Sequence, residues 1–181
     1  HITVISVSLA VYQKMVIRGS TEGIVGIVNQ KNNSLKSWQP HNKNPLVIVL
    51  ESIEKPGNLG AILRTADASG VDAVIITEEH TDIHHPNVIR SSVGGFFSAT
   101  LFVCSNQEAK HFLKKNKINI YAASLQKSIL YNKVNYKAST AFVMGSEAKG
   151  LSDFWRDQEV TAVKIPMLGL SLIHISEPTR R

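Results

Sequence analysis

The sequence predicts an α/β domain, a mostly parallel sheet of five or six strands with helices on both faces. Three observations predict it. From Leu46 onward the apolar runs are continuous rather than alternating, the form taken by strands buried on both sides. They are rich in Val and Ile, which suit a pleated, packed surface. Helical segments separate most of them, the rhythm of a sheet built from crossover units. A chain of 181 residues holds one such domain and a short arm, and its core is large enough to need no disulfide.

Taken in order, residues 1–43 read as an N-terminal arm with a linker. Within it "VSLAVYQKMVI" (7–17) is an apolar helix candidate and "GIVGIVNQ" (23–30) a short strand candidate. The polar "KNNSLKSWQPHNKNP" (31–45), with two prolines, is a connection. LVIVL (46–50) is the first buried strand, and a helix follows from near Asn58, whose side chain is a good N-cap. VDAVIIT (71–77) is the second strand. A helix or turn over Pro86–Ser92 leads to a third strand in SATLFVCS (98–105), then a helix over Gln107–Asn116. INIYAAS (118–124) and TAFVMG (140–145) are further strands. A short helix over Asp153–Asp157 precedes the last, AVKIPM (162–167).

The 20 Lys and Arg residues against 14 Asp and Glu give a net charge of +6. With a pI near 9.5, a polyanion partner is indicated, RNA or DNA ahead of a membrane. A merely solvated surface explains the same numbers, since the basic residues cluster only in pairs such as Lys114-Lys115 and Arg180-Arg181. The single cysteine, Cys104, excludes an intrachain disulfide and fits a reducing, cytoplasmic compartment. Without a catalytic partner in view it reads as a core residue. No apolar run approaches the roughly 20 residues of a membrane span.

Three stretches carry the chemistry. In "EKPGNLGAILRTADASG" (54–70) the glycines do not make a nucleotide loop. The dinucleotide fingerprint needs G-x-G-x-x-G directly after a strand, and the P-loop needs G-x-x-x-x-G-K-[ST]. Both are absent here. Arg64 lies six residues after Asn58, roughly 240° around a helix, and by itself reads equally as a solvated or ion-paired arginine. In "FVMGSEAKGLS" (142–152), Gly145 and Gly150 bracket a loop that holds Glu147 at the end of a strand. Strand ends at the carboxyl edge of an α/β sheet are where ligands bind, though an ordinary strand-to-helix turn has the same composition. In "VKIPMLG" (163–169) a proline stops a strand before a turn.

Together the three are specific. Asn58-x-Gly60-x3-Arg64, Gly145-Ser-Glu147-x2-Gly150-Leu151 and Ile165-Pro166-Met167-x-Gly169 resemble the three motifs of the SpoU (TrmH-like) family of RNA 2′-O-ribose methyltransferases, of the SPOUT class. The resemblance covers about Asn44 to Gly169, and "IRSSVGGFF" (89–97) matches the short turn between the first two motifs. It implies a sheet whose C-terminal part is tied in a trefoil knot, a feature that periodicity does not show. It further implies S-adenosylmethionine bound in the knot by Gly145, Ile165, Met167 and Gly169. It implies methylation of a ribose 2′-hydroxyl in tRNA or rRNA, a homodimer, and a site of Arg64, Asn58 and Glu147. Glu147 is expected to orient the Arg64 guanidinium through a bidentate pair. Residues 1–43 then read as the remnant of an RNA-binding domain and 44–169 as the methyltransferase domain.

The tail departs from the family pattern. After Gly169 the family continues into a Ser-Leu-Asn segment and a long helix, whereas Ser171-Leu172 is followed here by Ile173 and "HISEPTRR". Residues 170–181 are therefore expected to be non-native. A catalytically silent or truncated RNA-binding relative is the alternative reading that this tail favours. His80, His84 and His85 lie among Glu78, Glu79 and Asp82, but their spacing matches no standard metal-ligand set, and no metal is expected. Trp38 and Trp155 offer rings for stacking on bases, with packing or a subunit contact the stronger reading for each. The lysines around the helix at 107–116 (Lys110, Lys114, Lys115, Lys117) read as a solvated face.

Overall fold

Seven strands, every neighbouring pair parallel, run in the order β3-β2-β1-β6-β4-β7-β5 in the computed structural model, which describes residues 3–16, 23–29 and 33–166. The strands are β1 (Leu46–Glu51), β2 (Ala73–Thr77), β3 (Leu101–Cys104), β4 (Asn119–Ala123), β5 (Ile129–Leu130), β6 (Thr140–Met144) and β7 (Val160–Lys164). The helices are α1 (Leu9–Met15), α2 (Pro56–Ala68), α3 (Pro86–Ser91), α4 (Gly95–Ser98) and α5 (Asn106–Lys115). The chain divides into two units, residues 1–32 and 33–181.

Side-chain parity along β1 divides the core. Val47 and Val49 face α5, in one cluster with Ile75, Phe112, Leu113, Val143 and Trp155. Leu50 faces the other way, onto Leu59, Leu63 and Ala66 of α2 and Val88 of α3. Both faces are covered, which is why these strands read as unbroken apolar runs. Trp38 packs on Phe102 and Phe112, with centroids 5.4 and 5.5 Å apart, and Trp155 is 1% exposed.

The helices begin and end on local signals. Pro56, with its fixed φ and missing donor, sits in the first turn of α2, and Lys55 is the N-cap. Asn58 therefore lies inside the helix rather than capping it: its N–H bonds the Lys55 carbonyl at 3.0 Å. The helix closes at Gly70, whose φ of +67° permits paired bonds from Gly70 to Asp67 and from Val71 to Ala66. Ser105 and Glu108 form a reciprocal capping box on α5, which starts one residue earlier than expected.

Other expectations are corrected. β5 was not foreseen, because two residues carry no period. The last strand lies at 160–164 rather than 162–167, since Ile165 and Pro166 leave the ladder. Residues 23–29 form no strand. Ile24 and Ile27 are 85% and 86% exposed there, without the packed neighbours that β-branched residues need. In that first unit, Ser8 caps α1 and the Tyr12 hydroxyl accepts from the Gly23 N–H at 2.9 Å. Lys110 is not on a solvated face: it is 8% exposed, pairs with Asp157 and lies 5.0 Å from the Phe154 ring centroid. The expected knot and tail involve residues 167–181, which lie outside the described residues.

Candidate active site

β1 and β6 are neighbours in the sheet, with Leu50 opposite Met144, yet the chain leaves them in opposite directions. From β1 it proceeds to β2 and β3 on one side, and from β6 to β7 beyond β4 on the other. The crevice outside their carboxyl ends is the topological switch point, the place where open α/β sheets bind ligands. A small cleft opens there, lined by Ile53, Lys55 and Asn58 after β1 and by Ser146, Glu147 and Ala148 after β6.

Glu147 is the centre of this cleft. Asn58 Nδ2 donates to its Oε1 at 2.5 Å and Lys55 Nζ donates to its Oε2 at 2.6 Å. Residues about 90 positions apart in sequence are thus joined by one carboxylate. The Lys55 hydrogen bond and charge hold the Glu147 carboxyl below the ordinary glutamate value, with a smaller push from Asn58. Glu147 in turn raises the Lys55 ammonium above its ordinary value.

The loop that presents Glu147 is folded tightly on itself. A Cβ placed on Gly145 would lie 2.2 Å from the carbonyl carbon and oxygen of Gly150 and 2.5 Å from the Leu151 nitrogen. Only glycine permits that crossing. The turn is closed by Gly150 N–H donating to the Ser146 carbonyl at 2.9 Å and Lys149 N–H donating to the Ser146 hydroxyl at 3.2 Å. Leu151 then anchors the loop in the core at 6% exposure.

Asn58 and Glu147 are therefore brought together, and Gly145 lies at the base of their loop. Arg64 is not part of that contact. It is exposed on α2, and among the described residues no hydrogen bond or ion pair holds its guanidinium. The partners of Glu147 are Lys55 and Asn58, in place of the expected bidentate arginine. The backbone at Arg64 is nonetheless fixed. Gly95 of α4 packs so closely that a Cβ there would lie 3.2 Å from the Arg64 nitrogen and Cα. Gly60 serves the same purpose against α3, where a Cβ would lie 2.5 Å from the Val88 carbonyl oxygen. Ile165 follows β7 at the same sheet edge and is 67% exposed. Met167 and Gly169 lie outside the described residues.

Sequence reasoning missed Lys55, because a lysine before proline in a polar linker looks like any solvated residue. It also missed Glu51, a carboxylate closing an apolar strand. Among the described residues, neither the histidines nor Cys104 joins the site. His85 caps α3 by accepting from the Asn87 N–H, and His84 packs edge-on against Phe96. Burial and nearby Glu108 push the Cys104 thiol up to about 11, far from the thiolate form that reactive cysteines need. Among the described residues no group of three or more His, Cys, Asp or Glu is arranged to hold a metal ion.

Residues 45–171 match the model of the SpoU rRNA Methylase family. The chain belongs to that family. A TrmH-family relative from Staphylococcus epidermidis, assigned by name as a tRNA/rRNA methyltransferase, is 36% identical over 124 residues. That match covers 68% of this chain and 50% of the relative, so the chain spans about half the length of such relatives. A crystal structure of an RNA 2′-O ribose methyltransferase superposes with a TM-score of 0.76 at 31% identity, covering 93% of this chain and 67% of that one. A second, the S-adenosylmethionine-bound rRNA methyltransferase of Sinorhizobium meliloti, gives 0.73 at 26% identity, covering 81% and 58%. The SpoU match spans the whole sheet and both loops of the cleft, so the family's fold and the Asn58–Glu147 contact belong to one unit. Among the described residues no helix is long and apolar enough to cross a membrane.

Proposed function

We propose that this chain carries the S-adenosylmethionine-dependent catalytic domain of an RNA 2′-O-ribose methyltransferase acting on tRNA or rRNA. The observation that carries the reading is the Asn58–Glu147–Lys55 cluster at the switch point, which joins a residue of each of the first two SpoU motifs through one carboxylate. The names of the similar proteins support the cofactor and the 2′-oxygen as the target. Residues 44–169 would form the methyltransferase domain, residues 1–43 the end of a substrate-recruiting arm, and two copies the working enzyme, in the cytoplasm.

The residues present fit the cofactor. Gly145 follows β6 and is half-buried, with its loop folded back over its Cβ position, and Ile165 offers an exposed apolar surface for a purine face. These two, with Met167 and Gly169, are the proposed cofactor-binding residues. When bound, the cofactor supplies a methyl group activated by a sulfonium. Held there, it would supply that methyl to a ribose 2′-oxygen and depart as the neutral thioether, with the hydroxyl proton passing to water.

A ribose hydroxyl is a weak nucleophile, so in-line positioning supplies much of the acceleration. Arg64 is the proposed catalytic residue. A guanidinium keeps its proton in proteins and is a poor general base. Its role is electrostatic: holding an RNA phosphate or the developing alkoxide. Its lack of a protein partner among the described residues leaves its donors available for RNA. Asn58 and Glu147 tie the two walls of the cleft together.

The test is methyl transfer from labelled S-adenosylmethionine to an RNA pool, with 2′-O-methylnucleosides identified by mass spectrometry after digestion. Arg64→Ala is expected to lose about 100-fold or more in turnover while cofactor affinity changes little. A variant with near wild-type turnover removes Arg64 from the mechanism. RNA binding without methyl transfer by the wild type favours a silent RNA-binding relative instead.

A further inference from the structure

Glu51 ends β1, where the parity of Val47 and Val49 turns its side chain toward α5. It is 2% exposed, in a place where an apolar residue is the rule. Every contact uses it as an acceptor. Oε1 receives Asn106 Nδ2 at 2.6 Å and the Ser152 hydroxyl at 2.6 Å, and Oε2 receives the Ser152 N–H at 2.7 Å. Asn106 is fixed in turn, since its Oδ1 accepts from Trp155 Nε1 at 3.2 Å. Among the described residues no cation pairs with the carboxylate, so its burial rests on these three bonds.

We infer that Glu51 is a positioning residue for the Gly145–Ser152 loop, acting on the cofactor site through Ser152 without touching it. Asn106 and Trp155 tie the carboxylate to the core, while both of its oxygens grip Ser152 at the end of the loop. Gly145 packs on the backbone of Gly150 and Leu151, immediately before Ser152. Release of Ser152 therefore loosens the surface on which Gly145 rests, and with it the turn that aims Glu147 at Asn58. A buried carboxylate that only filled core volume would have no reason to spend its acceptors on a loop backbone 101 residues away.

This inference rests on the proposed function only for its cofactor readout. The test compares wild type, Glu51→Gln and Ser152→Ala by hydrogen exchange of the loop amides, by calorimetric titration with S-adenosylmethionine, and by turnover at saturating cofactor. Glu51→Gln keeps the size and exchanges one acceptor for a donor. It is expected to speed exchange across residues 146–152 and weaken cofactor binding, each about tenfold. Turnover at saturating cofactor is expected to stay within about threefold, the split that separates positioning from chemistry. Ser152→Ala keeps the backbone bond to Oε2 and should move the first two quantities the same way by less. A folded Glu51→Gln with wild-type loop exchange and cofactor affinity overturns the inference. Should Glu51→Gln fail to fold, an unchanged Ser152→Ala overturns it equally. If wild type binds no cofactor, the proposed function falls, and loop exchange alone still decides the role of Glu51.

Discussion

Glu147 shows how much one side chain can organise. Its carboxylate divides its oxygens between Asn58 and Lys55, and the charge beside it sets the pH range of the contact. Glu147 is held below its ordinary value of 4.5 by Lys55. Its contribution is complete above that value and is lost as pH falls through the lower folded one. Lys55 is raised above 10.5, so its contribution is complete below that value and is lost as pH rises through the higher one. Both are charged across the whole interval between. Exchange protection of the loop amides is expected to stay level from neutral pH down to the ordinary glutamate range and to decline below it. A decline at neutral pH contradicts this account of the pair. Lys55→Ala should return the Glu147 carboxyl upward, a change visible in a carboxyl-carbon NMR titration. The pair is exposed, so high salt should weaken it.

At the scale of elements, the site is two loops and one helix held by close backbone crossings. Gly145→Ala forces the Gly150 backbone away and is expected to destabilise the fold by roughly 1–3 kcal/mol, read by denaturant melting, and to weaken cofactor binding. A variant with wild-type stability and cofactor affinity shows that the crossing is dispensable. The same elements show what the sequence makes legible. β1, β2 and β6 were readable because burial on both faces leaves unbroken Val and Ile runs. The box at Ser105 and Glu108 is a local pattern, and α5 starts beside it. α2 was misplaced because two start signals compete: Asn58 favours a cap, but Pro56 with its fixed φ starts the helix two residues earlier. Once Asn58 is inside the helix, its side chain is available to Glu147. The resemblance to the SpoU motifs implied a site of Asn58, Glu147 and Arg64, and the structure joins the first two. Lys55 and Glu51 escaped because what marks them is a partner far away in sequence, and spacing along the chain carries no trace of it.

At the scale of the whole molecule, the reversal of strand order between β1 and β6 is what creates a cleft at all. That reversal is set by strands spread from Leu46 to Met144, so no short motif announces it. Asn58 of the first SpoU motif and Glu147 of the second lie on either side of the cleft, and Ile165, the first residue of the third, follows β7 at the same edge. The central claim is that this edge binds S-adenosylmethionine. The most direct measurement is a calorimetric titration of this chain with that cofactor, after its folding has been verified by circular dichroism. The account predicts saturable binding of one cofactor per chain. A folded chain that gives no binding heat across a range of temperatures contradicts it.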